Sequence, residues 1–394
     1  MLYNFRLARY LKEALFNEHK YCSIKAGRRT GKTFNAVIWE SAHLLARPYA
    51  KGLWVDTTVN NIKNYVDLYF AKIIGKEKYD WLPQRQQLNL ENGSIIHLRS
   101  ATRPELMEGL EYDYVVLNEA GIILHNPSLW YNTIQPMCKN AQVRFVGTPK
   151  GKNLFHEIYH KYPSYSFSAY DSPYWTHEQL EAIKPDVPAE VWAQEYMAEF
   201  IDGAGAVFRN INECSMPVID DYEVNPNKDY IMGIDLAKHQ DFTVVMVADR
   251  ETNEVIFMDR FNTIDWTFQK ERIKAIWERF NKCTAIIDST GVGDPIFDDL
   301  YAYGMDEMIS FKFTSSSKIS LIQNLSVMLD NKQIKYCAWP VLMSELNTYE
   351  YVVKADGRFS YNAPTGLHDD CVIALALVAS VLKYGYSLNP SSLL

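Results

Sequence analysis

Cysteine is sparse and unpatterned in this sequence. The six present (Cys22, Cys138, Cys214, Cys283, Cys337 and Cys371) are scattered through 394 residues with no C-x-x-C pair. That speaks against a zinc site or a disulfide framework and for free, buried thiols. Long apolar runs are missing too. The longest, near Cys371–Leu382, falls short of the roughly 17–25 residues that a membrane span needs, and Met1-Leu2-Tyr3-Asn4-Phe5-Arg6 has no signal-peptide pattern. A basic excess is lacking: 40 Lys and Arg stand against 48 Asp and Glu, a net charge of −8. Nucleic-acid binders usually show a basic excess. Acidic clusters that hold metal ions lower net charge while creating phosphate affinity locally, so charge alone excludes neither class. The chain is 47% hydrophobic and 22% charged, a globular composition that excludes a disordered or fibrous chain.

Length suggests two or three domains, on a prior of about 150 residues each. From Lys20 to Phe145, strand-like runs (Tyr21–Lys25, Gly52–Thr57, Ile95–Leu98, Tyr114–Leu117, Val143–Gly147) alternate with helical patterns at Thr33–Leu45 and Asn60–Ile74. Such alternation predicts an α/β sheet with much parallel pairing. Glu178–Phe200 reads as helical, and Asp202-Gly203-Ala204-Gly205-Ala206 as a linker. A second α/β pattern follows. Its strands are predicted at Tyr230–Ile234, Phe242–Val247, Val255–Phe257 and Thr284–Ile287, with a hairpin over Tyr351–Tyr361 turning at Ala355-Asp356-Gly357. Helices are predicted at Trp266–Arg279, Ser317–Leu329 and Asp370–Leu382. The expected division is 1–202, a linker 203–228, and 229–394. No internal repeat or low-complexity tract is evident.

Between the first strand and the next helix stands Ala26-Gly27-Arg28-Arg29-Thr30-Gly31-Lys32-Thr33. It fits [AG]-x-x-x-x-G-K-[ST], the loop that curls backbone N–H groups around phosphates at a helix N-terminus. Lys32 suits the β- and γ-phosphates of ATP, and the Thr33 hydroxyl suits Mg²⁺. The bland reading, a glycine turn before a helix, is weakened by the strand–loop–helix context. Tyr114-Val115-Val116-Leu117-Asn118-Glu119 supplies the second acidic strand end of such a site, with Asn118 where an Asp normally orients the Mg²⁺ shell. Glu119 remains to activate water. Val146-Gly147-Thr148-Pro149 ends a third strand in a hydroxyl that can sense a γ-phosphate, although Gly-Thr-Pro alone is usually a turn. Arg28 and Arg29 are candidate phosphate contacts. Arg103 and Arg144 are loose candidates for an arginine finger.

The second half offers carboxylates. Asp235 ends Ile231–Ile234, Asp241 precedes another strand, Asp288 ends Thr284–Ile287, Asp294 follows six residues on, and His368-Asp369-Asp370 opens an apolar helix. Carboxylates converging from separate elements suit Mg²⁺ or Mn²⁺. A pair of such ions cleaves phosphodiesters. Each Asp alone has an ordinary explanation as a turn or cap residue; the recurrence at element ends argues for a site. The many aromatics (9 Trp, 26 Tyr, 18 Phe) are mostly expected in the core.

The ordered set of motifs resembles the large terminase subunit of tailed bacteriophages. The resemblance rests on Gly27-Arg28-Arg29-Thr30-Gly31-Lys32-Thr33, Glu119, Gly147-Thr148-Pro149 and Gln194-Glu195-Tyr196-Met197-Ala198-Glu199-Phe200. It continues through Gly233-Ile234-Asp235, Asp288-Ser289-Thr290-Gly291-Val292-Gly293-Asp294, Lys312–Lys318 and His368-Asp369-Asp370. It implies an N-terminal P-loop NTPase sheet with flanking helices and a C-terminal RNase H-like nuclease. It further implies ATP-driven translocation of double-stranded DNA into a procapsid and two-metal cutting of concatemers. The implied partners are a small terminase subunit, a portal and a ring of identical copies, in the host cytoplasm, with no membrane. Three positions depart from the family pattern: Asn118 at the Walker B Asp, no glutamine in Tyr3–Leu15, and Glu108-Gly109 where Arg-Gly is common. Two rival readings are a repair-type helicase-nuclease and a nucleotide-binding scaffold whose ATPase decayed at Asn118.

Overall fold

The computed structural model describes residues 9–107, 109–201, 204–237, 242–290, 293–354, 358–364 and 367–384. The expectations placed on Tyr3–Ala8, Glu108, Asp202-Gly203, Asp241, Gly291-Val292 and the turn Ala355-Asp356-Gly357 lie outside the described residues, as does the side chain of Asp294. The chain separates into two compact units. The first comprises Met1–Lys184, Ala189–Gly203 and Val353–Arg358; the second comprises Pro185–Pro188, Ala204–Val352 and Phe359–Leu394.

The first unit is built on eight strands: β1 (Tyr21–Ala26), β2 (Lys51–Asp56), β3 (Tyr79–Leu82), β4 (Gln87–Leu90), β5 (Ile95–Ser100), β6 (Tyr114–Asn118), β7 (Gln142–Gly147) and β8 (Ser164–Phe167), in the order β3-β4-β5-β2-β6-β7-β1-β8. Six of them, from β5 to β8 in that order, are parallel, and β3 and β4 add an antiparallel edge. The central strands β2, β6 and β7 are buried along nearly their whole length. Continuous apolar runs of this kind mark strands covered on both faces. On one face Trp39, Trp54 and Phe70 form the core; on the other, Trp130, Phe145 and Phe155. Parallel pairing brings the C-terminal ends of β1, β2, β6 and β7 to one edge, where ligands bind in such sheets.

The second unit has a seven-stranded sheet: β10 (Ser215–Met216), β11 (Tyr230–Asp235), β12 (Thr243–Asp249), β13 (Glu254–Phe261), β14 (Thr284–Asp288), β15 (Met308–Phe311) and β16 (Lys335–Cys337), ordered β10-β16-β13-β12-β11-β14-β15. β11, β12 and β13 form an antiparallel meander, and β14 joins β11 in parallel. β9 (Ala204–Ala206), β17 (Glu350–Val353) and β18 (Phe359–Asn362) make a small separate sheet. The apolar helix Asp370–Tyr384 packs on β11. Gly233 permits this approach: a Cβ there would stand 2.6 Å from the Ala374 carbonyl oxygen and 3.0 Å from the Val378 nitrogen.

Two predicted helices differ. The Asn60–Ile74 pattern forms a regular helix only over Val59–Tyr65, then widens into π-type turns over Val66–Gly75. The Glu178–Phe200 pattern breaks into short pieces at His177–Ile183, Ala189–Val191 and Trp192–Tyr196, because Pro185 and Pro188 cannot continue a helix. All six cysteines are buried and free.

Candidate functional site

In the first unit the loop after β1 runs into the helix Lys32–Ala46 through Gly31, which holds φ 78° at the helix N-cap, a conformation glycine adopts without steric cost. The loop is braced from within and outside. The Thr30 hydroxyl donates to the Gly27 carbonyl at 2.9 Å, and the buried Thr148 hydroxyl donates to the Ala26 carbonyl at 3.0 Å. Ser172 Oγ donates to the Arg29 carbonyl at 2.6 Å. Arg28, Arg29, Lys32, Glu119, Thr148 and Lys150 line a cleft of about 650 Å³, within the range of small-ligand pockets.

Glu119 stands just past β6 with φ 52° and ψ 46°. A left-handed backbone at a non-glycine residue costs on the order of 1 kcal/mol and is a feature of functional sites. It sets the Glu119 carboxylate 3.8 Å from Lys32 Nζ. Beside it the Thr33 hydroxyl donates to Asn118 Oδ1 at 3.2 Å, and Asn118 Nδ2 donates to Asp56 Oδ2 at 2.6 Å. Burial lifts the Asp56 carboxyl to about 6, against the pull of hydrogen bonds from Asn118 and Thr57.

One expectation changes. Arg144 is wholly buried, its guanidinium donating to the carbonyls of Leu15, Asn17 and His19 at 2.8, 2.7 and 3.0 Å over the Trp39 ring. It is a structural cation and not an arginine finger. Arg28 is engaged by Glu195, its Nε donating to Oε2 at 2.6 Å, and Glu195 also accepts from Lys150. Burial alone would raise the Glu195 carboxyl; Lys150 and Arg28 together bring it below its ordinary value. Asp56, Lys150 and the pairing role of Glu195 carry no local signal in the sequence, because each finds its partner only through the sheet.

In the second unit, parallel pairing of β11 with β14 places Ile234 opposite Ile287, so Asp235 and Asp288 leave neighbouring strand ends. Asp370 opens the helix packed on β11. Burial pushes the Asp235 carboxyl well above the carboxylate range; Asp288, Asp370 and Asp369 push it further, and Lys318 opposes them. The four expected carboxylates therefore share one electrostatic field. Their remaining hydrogen bonds differ. Asp288 Oδ1 accepts from Thr290 N at 2.8 Å, Asp370 Oδ2 accepts from Phe242 N at 3.1 Å, and Asp369 Oδ2 accepts from Lys318 Nζ at 3.0 Å. His368 lies 3.7 Å from Asp370. Among the described residues no group of three or more His, Cys, Asp or Glu side chains is gathered closely enough to hold a metal ion. The donor types suit a hard divalent cation, being all oxygen, coupled electrostatically at Asp235 and opposed there by Lys318. Glu345, which the sequence did not single out, accepts from the Cys371 and Val372 amides at 2.8 and 3.2 Å. It thereby fixes the first turn of the helix that carries the Asp pair.

Comparison with known proteins places these two halves. Residues 23–214 match the family model described as terminase large subunit, T4likevirus-type, N-terminal, and residues 232–380 match the terminase RNaseH-like domain. The chain is 26% identical to the large terminase subunit of Thermus virus P23-45 over 92% of this chain and 85% of that one. Among solved structures, a large terminase from a thermophilic bacteriophage shares the fold at 14% identity and a TM-score of 0.54, covering 95% of this chain and 98% of that chain. The large terminase nuclease of the thermophilic phage G20c with bound magnesium aligns at 29% identity over 44% of this chain and 96% of that chain, with a TM-score of 0.42. An N-terminal and a C-terminal match to the same kind of protein, in that order along one polypeptide, make this chain a member of the terminase large-subunit family.

Proposed function

We propose that this terminase large subunit is the motor and nuclease of viral genome packaging, using ATP hydrolysis to drive double-stranded DNA into a procapsid and a two-metal cluster to cut concatemeric DNA. In the first unit the loop Ala26–Thr33 cradles the triphosphate, and Lys32 neutralises it with help from Arg28 and Arg29. Thr33 and Asn118 face the nucleotide's Mg²⁺, Glu119 orients the attacking water, and Thr148 reports the γ-phosphate to the loop. In the second unit Asp235, Asp288, Asp369 and Asp370 hold Mg²⁺ or Mn²⁺, with Asp241 and Asp294 as outer residues. When bound, the ions activate water and stabilise the leaving oxygen of the phosphodiester. The buried amide contact of Asp370 and the Glu345 cap hold the carboxylates in place, and Lys318 balances the charge of Asp369.

The observation that carries this reading is the charge crowding at Asp235 by carboxylates from separate elements, in a unit that does not contain the phosphate loop. A small terminase subunit, the portal, a ring of identical chains and the host cytoplasm complete the proposal. Among the described residues no helix is long and apolar enough to cross a membrane. The repair-type and scaffold readings are not favoured, since both family matches are terminase domains.

The test is a pair of substitutions in the full chain. Lys32→Ala is expected to lower ATP hydrolysis by about 10²-fold or more while DNA cutting persists. Asp235→Asn is expected to do the reverse. Loss of ATP hydrolysis alone in both variants would overturn the division of labour. Packaging into portal-bearing procapsids separates this reading from a repair enzyme, and phosphate release with and without DNA separates it from a scaffold.

A further inference from the structure

The position before Glu119 carries an amide where this kind of site normally has a carboxylate. The neighbouring strand holds the missing charge. β2 and β6 pair in parallel with Val55 opposite Leu117, so the next residue of each, Asp56 and Asn118, lie level at the sheet edge. Both are wholly buried. Asp56 Oδ2 accepts from Asn118 Nδ2 at 2.6 Å. That bond turns the amide N–H₂ towards β2, where the Tyr65 side chain also meets it, and leaves Asn118 Oδ1 to face Thr33, whose hydroxyl lies 3.2 Å away. A carboxylate on the N–H₂ side also polarises the amide and makes its oxygen a stronger acceptor.

The other Asp56 oxygen accepts from Thr57 N at 2.6 Å, Thr57 Oγ1 at 3.1 Å and Asn61 Nδ2 at 3.5 Å. All these donors are neutral, and among the described residues no basic side chain pairs with Asp56. A buried carboxylate without a cationic partner is costly. Helix capping does not account for it, because Thr58 performs that task for the helix Val59–Tyr65 by accepting from Asn61 N at 3.2 Å.

We propose that Asp56 is a positioning residue for the nucleotide's Mg²⁺, supplying through Asn118 the negative charge that the end of β6 lacks. The Thr33–Asn118–Asp56 chain divides the usual carboxylate into two parts: an amide oxygen at the site and a charge one strand away. The inference rests on the reading of this cleft as the Mg·ATP site.

The experiment titrates Mg²⁺ into the full chain, starting in EDTA, with a fluorescent mant-ATP probe, and reads the Mg²⁺ concentration for half-maximal nucleotide binding. Asp56→Asn is expected to raise that concentration about tenfold, the usual scale for losing a group that orients a metal ligand. The double variant Asp56→Asn/Asn118→Asp keeps both shapes and moves the charge onto β6; it is expected to return the half-point to within about threefold of the native value. A native half-point in Asp56→Asn overturns the proposal. So does a double variant that folds, judged by its thermal unfolding midpoint, yet keeps a raised half-point. If Asp56→Asn alone fails to fold, the double variant decides the matter on the same criterion. Lys32→Ala serves as the separate check: native nucleotide binding in that variant would sink the Mg·ATP reading of the cleft itself.

Discussion

At the residue scale, Glu195 shows how a charge is held beside the phosphate loop. Its side chain and that of Lys150 are about nine-tenths buried, whereas Arg28 is largely exposed. The Lys150 pair therefore dominates the energetics, since an exposed arginine contributes at most about 1 kcal/mol. Removing one partner of a buried pair strands the other, which typically costs about 3–5 kcal/mol. Glu195→Ala is expected to lower the stability of the first unit by about 3 kcal/mol in urea unfolding; a loss below about 1 kcal/mol would show that Lys150 is solvated regardless. This residue, Asp56 and Glu345 define what local sequence reading leaves out. Gly31-Lys32-Thr33 is legible because its function is written in adjacent positions. Asp56 meets Asn118 across 62 residues, and nothing at position 56 signals that a strand bearing an amide will lie beside it. Arg144 misleads for the same reason: three of its four carbonyl partners come from the chain before β1.

At the scale of elements, legibility follows burial. β2, β6, β11 and β14 are short apolar runs ended by Asp56, Asn118, Asp235 and Asp288 and are readable directly. β3, β4, β8, β10, β15 and β16 are short strands without apolar runs and owe their existence to neighbours. The packing of the helix Asp370–Tyr384 on β11 is equally invisible, yet it sets the distance between Asp370 and Asp235. Gly233→Ala tests it. The added methyl would meet backbone at 2.6 Å, which cannot swing aside, so the helix must shift. The expected outcome is a destabilisation of about 1–3 kcal/mol, seen as a lowered unfolding midpoint, together with reduced metal-dependent DNA cutting and unchanged ATP hydrolysis. Native cutting in this variant would mean that the carboxylates tolerate displacement.

At the scale of the whole molecule, the two units respond to pH differently, because the carboxylate shifts are mixed in sign in the first and uniformly upward in the second. In the first, Asp56 and Glu40 are raised by burial while Glu195 is lowered by its cations, so their effects oppose each other. In the second, Asp235, Asp288, Asp330 and Glu345 are all raised. An acid whose folded value lies above its unfolded one binds more protons in the native state across the interval between them. Its contribution to stability is complete below the unfolded value and is lost as pH rises through the folded value. Without divalent ions the second unit is therefore expected to lose stability as pH climbs from about 4 towards neutrality. Mg²⁺ or Mn²⁺ should reverse the trend, because cation binding favours the ionised carboxylates. Thermal unfolding of the full chain between pH 5 and 8, in EDTA and in Mg²⁺, measures both effects, and Asp235→Asn assigns them: it should flatten the EDTA slope and weaken the Mg²⁺ response of one transition only. A midpoint indifferent to pH and to Mg²⁺ in the native chain would mean that Asp235, Asp288, Asp369 and Asp370 never repel one another, and the carboxylate cluster would lose its claim to be a metal site.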